Sequence, residues 1–123
     1  MTLFTAEKEE YLKLIERKQK KKEPVKNNEL AKELNLARAS VTEMFLKLSQ
    51  EELVIYIPYK GVKLTEKGKH YVKLLEKKQE LLLHFFEKHL GCTKKECEDM
   101  LDHLEHINHE LFFEKLEKYL FDN

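Results

Sequence analysis

Residues 27–69 read NNELAKELNLARASVTEMFLKLSQEELVIYIPYKGVKLTEKGK, and two periodicities follow one another within them. Leu30, Ala31 and Leu34 recur at helical spacing over Glu29–Leu34, with Asn27 placed to cap the start and Asn35 to turn the chain. A second helix over Arg38–Glu51 puts Val41, Phe45 and Leu48 on one face and Ser40, Thr42, Glu43 and Lys47 on the other. Two short helices joined by a tight turn, the second with a small polar start, form the helix-turn-helix pattern. From Leu53 the period falls to two. LVIYIPYKGVKLT alternates around a Tyr-Lys-Gly bend and is rich in β-branched and aromatic residues, which predicts a hairpin pairing Leu53–Ile57 with Gly61–Leu64. A hairpin directly behind such a helix pair is a wing, and that order is more specific than any of its parts.

On the N-terminal side the spacing predicts a helix from about Thr5 to Lys21, with Thr5 as N-cap and Tyr11, Leu14 and Ile15 as its buried stripe. Beyond the hairpin, Thr65 with Lys67 and Gly68 opens a long helix, Glu66 to about Leu90, whose stripe is Tyr71, Leu74, Leu75, Leu82, Phe85 and Phe86. Gly91 stops it. Thr93 with Glu96 is a capping-box pattern for a helix from Lys94 to His106, and a last amphipathic segment, Glu110–Phe121, carries Leu111, Phe112, Leu116 and Tyr119. The fold class is therefore mainly α with a small β-hairpin. A winged helix-turn-helix domain occupies 1–70, and a second, helical domain occupies 71–123. The apolar supply of the last three helices exceeds what one small winged domain needs, which points to a homodimer interface. A single self-packed monomeric core is the alternative.

Composition limits the functional classes. Of 123 residues 41% are apolar, enough for a core, and no apolar run approaches the ~20 residues of a membrane span. Residues 1–78 carry 18 Lys+Arg against 12 Asp+Glu (+6), whereas residues 79–123 carry 5 against 11 (−6). A basic first part and an acidic second part, which holds all but one of the six histidines, suit a nucleic-acid reader followed by a sensing or pairing segment. The start, MTLFTAEKEEYL, lacks a signal-peptide pattern, and two cysteines without Cys-x-x-Cys spacing do not make a disulfide framework. A reduced cytoplasmic chain is the simplest reading. An enzyme is disfavoured: there is no Gly-rich phosphate loop, no Ser–His–acid arrangement, and no activated cysteine.

Asp102, Glu105 and His106, at i, i+3 and i+4, place two carboxylates and an imidazole on one helix face, a set suited to Mn²⁺, Fe²⁺ or Zn²⁺. A solvated acidic face is the plainer alternative for that spacing alone.

Ser-Val-Thr at 40–42 with the following Met-x-x-Lys-Leu, then Tyr-Lys-Gly, Leu-Thr and Lys-Gly-Lys, resemble the DNA-binding half of the diphtheria-toxin-repressor and manganese-transport-regulator family. The likeness continues through Glu80-Leu81-Leu82 to Leu104-Glu105-His106, and the length matches the shorter, manganese-type members. The resemblance implies a homodimer in which bound metal sets the spacing of two winged domains, so that the dimer binds a palindromic operator on double-stranded DNA and represses metal-uptake genes. It further implies metal ligands at Glu10, Asp102, Glu105 and His106, with Asp102 replacing a Glu or Cys. Two ligand positions have changed: Lys13 stands where manganese-type members have a carboxylate, and Gln79 where the long helix supplies a His. A cation about 4 Å from the ion opposes it by roughly 4 kcal/mol at an effective dielectric near 20, and an amide is a poorer ligand than imidazole. A two-metal site is disfavoured on those grounds. Either Lys13 replaces the metal by pairing with Asp102 or Glu105, giving a metal-independent regulator, or a single, weaker Mn²⁺ or Fe²⁺ remains.

By the same resemblance the helix from Arg38 enters the major groove. Arg38, Ala39, Ser40, Thr42 and Glu43 are the base-reading candidates, and Lys47, Lys60 and Lys63 the phosphate contacts. Family members often carry Pro at the Arg38 position, so no operator sequence is carried over. A winged helix serving only protein–protein contact is the remaining alternative, kept open by Glu43 and by zero net charge.

Overall fold

The computed structural model describes residues 6–19 and 23–121. The expected cap at Thr5 and the basic run at Lys20–Lys22 lie outside them. Two compact units are present, Met1–Lys73 and Leu74–Asn123, and the division falls inside a helix.

In the first unit α1 spans Ala6–Lys18, α2 Asn27–Leu34 and α3 Arg38–Gln50. Strands β1 (Val54–Ile57) and β2 (Gly61–Leu64) pair antiparallel in the register Val54↔Leu64 to Ile57↔Gly61. The helix α4, Glu66–His84, begins here. Asn35 takes the left-handed conformation (φ 56°) that ends α2, as the turn between the two helices requires. Tyr11, Leu12, Ile15, Leu30, Val41, Phe45, Leu48, Leu53, Val62 and Val72 are closed off from solvent in one cluster, so the predicted helical and strand stripes converge. Val25 adds a third backbone partner to the hairpin, exchanging N–H···O=C bonds of 2.8 and 2.9 Å with Val62. Gly61 permits that approach. Its φ is +117°, and a Cβ there would meet the Val25 carbonyl oxygen at 2.0 Å.

Thr65 accepts a hydrogen bond from the Gly68 N–H at 3.0 Å and so caps the start of α4, as expected. The cap expected at α2 is different. Lys26, in extended conformation, precedes that helix without a side-chain cap, and Asn27 is its first residue. A polar cluster with no counterpart in the hydrophobic pattern joins α1, α3 and α4. Glu9 is buried (3% exposed) and accepts from the Tyr71 hydroxyl at 3.1 Å, while Lys8 pairs with Glu51. Burial, and next Glu9 beside it, pushes the Tyr71 hydroxyl pKa upward.

In the second unit α4 continues to His84, and the helix then widens into a π-helical turn over Phe85–His89 instead of staying α-helical to Leu90. Gly91 follows at φ +69°. Helix α5, Lys94–Leu104, starts with the predicted capping box, in which Thr93 Oγ accepts from Glu96 N–H at 3.2 Å and Glu96 Oε1 from Thr93 N–H at 2.8 Å. It ends before Glu105 and His106, which lie in the turn that follows. His109 does not extend that helix. Its Nδ1 accepts from Phe112 N–H at 3.2 Å, at the start of α6 (Glu110–Phe121). The core of this unit gathers Leu81, Leu82, Phe86, Cys97, Phe113 and Leu116. Leu74, Leu111, Phe112 and Tyr119, expected in apolar stripes, are exposed in the chain.

Candidate functional site

The N-terminal half of α3 is presented to solvent: Arg38, Ala39, Ser40 and Glu43 are exposed, as is Lys47 further along. Their neighbours Val41, Met44, Phe45 and Leu48 are buried. The helix is therefore fixed by its apolar face while its polar face stays outward. Thr42 is half-buried, and its Oγ1 accepts from the Asn27 amide at 2.8 Å. That bond ties the start of α2 to the first turns of α3 and leaves the Thr42 O–H as a donor. Asn27 thus acts on the partner helix and not on its own terminus.

Beside this face the hairpin closes a cleft of about 260 Å³ lined by Lys26, Asn27, Arg38, Thr42, Tyr59 and Lys60, among others. Lys60 is exposed and Lys63, on β2, half-buried. All eight residues expected to contact DNA belong to this unit, and three of them line the cleft. Lys26 and Tyr59 were not anticipated. Pro58 directly before Tyr59 in the bend was the available signal.

The residues expected at the metal site fall in both units. In the first, Lys13 Nζ stands 3.7 Å from Glu10 Oε1, an i,i+3 pair on α1. In the second, the Gln79 amide donates to Glu105 Oε2 at 2.7 Å, and His106 Nε2 lies 3.2 Å from Glu105 Oε1. Glu105 is largely withdrawn from solvent, its side chain 11% exposed. Asp102, one turn earlier on α5, is exposed; the bond between His103 Nδ1 and the Asp99 carbonyl, then the charge of Asp99 and last that of Asp102, raise the pKa of His103. Glu105 and His106 are thus together, with Gln79 as a third polar group. One carboxylate and one imidazole suit a single hard-to-borderline cation, with the Gln79 carbonyl as a weak extra donor if its amide turns over.

A helix-turn-helix with a wing, basic groups around the cleft between them, and a second helical unit define a winged-helix DNA-binding regulator. The comparisons place it more closely. Residues 3–62 match the iron dependent repressor N-terminal DNA binding domain, and residues 65–122 the iron dependent repressor metal binding and dimerisation domain. The chain belongs to the iron-dependent repressor family and is a DNA-binding transcriptional regulator. It is 35% identical over 97 residues to the HTH-type transcriptional regulator MJ0568 of Methanocaldococcus jannaschii, covering 79% of this chain and 78% of that one. It is 31% identical over 104 residues to the HTH-type transcriptional regulator MntR of Bacillus subtilis, covering 85% and 72%. Among solved structures, the hypothetical protein SSo2273 of Sulfolobus solfataricus superposes with a TM-score of 0.85 at 25% identity over 98% of this chain and 92% of that one. ScaR with bound Zn²⁺ gives 0.81 at 34% identity over 92% of this chain and 53% of that one. MJ0568 and MntR are HTH-type transcriptional regulators, and no described helix is long and apolar enough to cross a membrane.

Proposed function

We propose that the protein acts in the cytoplasm as a homodimeric repressor of metal-uptake genes, binding a palindromic operator on double-stranded DNA. The observation that carries this is the exposed start of α3 standing over a cleft that also holds wing residues. Arg38 reads a guanine edge as a bidentate donor; Ala39, Ser40, Thr42 and Glu43 contact neighbouring bases; Lys47, Lys60 and Lys63 neutralise phosphates. The dimer form of the reading draws on the match to a dimerisation domain and on Leu111, Phe112 and Tyr119, which α6 leaves exposed.

For the ion, Mn²⁺ or Fe²⁺, Glu105 and His106 are the residues on this chain that would hold it. Glu10 and Asp102 enter the set through the resemblance. A bound divalent cation supplies positive charge that several donors share. The chain's own groups bear on its affinity in the opposite sense. Gln79 satisfies Glu105 without an ion, and Lys13 brings a positive charge beside Glu10. Both make the metal a weaker requirement, and this supports a second reading in which operator binding is metal-independent.

Selection of duplexes from a random library, with and without added Mn²⁺, tests both readings. A palindromic consensus is expected. Enrichment only with metal supports the metal-dependent repressor, and equal enrichment the second reading. Failure to retard any duplex at low salt defeats both.

A further inference from the structure

The tip of the hairpin holds an aromatic residue in a conformation it does not favour. Lys60 N–H donates to the Ile57 carbonyl at 3.0 Å, closing a β-turn with Pro58 in its second position and Tyr59 in its third. Tyr59 has φ 65°, the left-handed region, where such turns normally take Gly or Asn. A bulky side chain there strains the backbone, and strain of this kind collects where a residue is aimed at a ligand. Among the described residues nothing covers its ring to compensate: Tyr59 is fully exposed at 102%. It lines the same cleft as Arg38, Lys26 and Lys60. A solvated aromatic at the centre of a cationic patch suits a polyanion with flat or apolar faces between its charges.

We propose that Tyr59 is a DNA-reading residue, entering the minor groove beside the α3 contact and favouring A·T pairs there. This rests on the reading above, in which the α3 and wing face is the DNA interface. With the start of α3 in the major groove, the wing tip reaches the adjacent minor groove. The phenol O–H can donate to adenine N3 or thymine O2, the acceptors that every A·T pair presents, whereas a G·C pair sets the guanine amino group in the way. The ring packs on the deoxyribose and base edge.

The test uses the full chain and a duplex recovered from the random library, made with A·T or G·C pairs flanking each half-site. Wild type is expected to prefer the A·T flanks. Tyr59→Gly is expected to bind the A·T-flanked duplex roughly tenfold more weakly, the scale of one lost base–aromatic contact, while its Tm stays level or rises. Tyr59→Phe is expected to keep most of the affinity and lose the flank preference. Unchanged binding by Tyr59→Gly, or a loss of binding accompanied by a falling Tm, overturns the proposal. Arg38→Ala separates the two failures. If it weakens binding while Tyr59→Gly does not, only the role of Tyr59 falls. If wild type retards no duplex, the interface reading falls with it.

Discussion

Gln79 donates its amide N–H to Glu105 Oε2 at 2.7 Å, at the position where the resemblance places a metal-binding imidazole. The bond satisfies a carboxylate that is almost closed off from solvent, so an ion arriving at Glu105 and His106 has to displace a partner already in place. Gln79→His replaces that donor with a ligand. The variant is expected to bind Mn²⁺ at least about tenfold more tightly, the lower end of what groups around a metal site typically contribute. Equilibrium dialysis measures it. Equal affinity in the two proteins would show that Gln79 does not limit the site.

Arg38 and Lys60 should fail differently, because one is assigned to a base and the other to a phosphate. Arg38→Ala is expected to cost about 1–3 kcal/mol on the preferred operator and to relax selectivity at one base pair. Lys60→Ala should weaken all sequences alike and lower the log–log salt slope by roughly 0.9. Fluorescence anisotropy titrations at several salt concentrations distinguish the two. A uniform, salt-dependent loss in Arg38→Ala would reassign it to the backbone.

Leu111 and Phe112 open the last helix with 54% and 40% of their surface exposed, although Phe113 beside them is buried. Apolar groups presented this way mark an association surface. Phe112→Lys is expected to shift sedimentation from dimer to monomer at micromolar concentration, with little change in helicity. A dimer that survives the charge would place the interface elsewhere.

The helices and the hairpin were legible because each buries one face, and burial imposes its period on the sequence: Val41, Phe45 and Leu48 on α3, and Val62 and Leu64 on β2, are among the buried residues of their elements. Leu74 and Leu111 obey the same period and are nonetheless exposed, because periodicity records that a face is apolar and not what covers it. The π-helical turn at Phe85–His89 left no trace in the pattern, since the spacing of Phe85 and Phe86 from Leu82 suits either helix. At the candidate site, residue types were readable and pairings were not. The resemblance marks Gln79 as an altered ligand position, but its bond to Glu105 depends on where the turn after α5 sets that carboxylate. Glu9 with Tyr71, and Asn27 with Thr42, are long-range polar contacts, and no short-range pattern encodes them.

Gly68 lies in the first turn of α4, and a Cβ there would meet the Leu53 carbonyl oxygen at 2.1 Å. The obstacle is backbone, at the residue leading into β1, so no side-chain rotation relieves it. Gly68→Ala is expected to destabilise the first unit by at least about 2 kcal/mol, despite Ala's better helix propensity. Urea denaturation measures this. A variant as stable as wild type would mean that α4 can withdraw from the wing at no cost.

Glu96 provides a pH dependence of known sign. The Thr93 backbone N–H that it accepts, and then the Thr93 side chain, hold its carboxyl pKa below the ordinary 4.5. A folded-state value below the unfolded one means that the unfolded chain binds the proton more readily. The stabilisation is therefore complete above pH 4.5 and is lost as the pH falls through the folded value. Glu96→Gln keeps an acceptor for the Thr93 N–H but removes the charge that favours the N-terminus of α5. Its Tm is expected to lie below that of wild type at pH 7, and the gap to close as the pH is lowered beneath 4.5. Thermal unfolding of both proteins from pH 7 to pH 3 follows the gap directly. A difference that persists undiminished at pH 3 would mean that Glu96 stabilises the helix by packing or hydrogen bonding alone, with its charge contributing nothing.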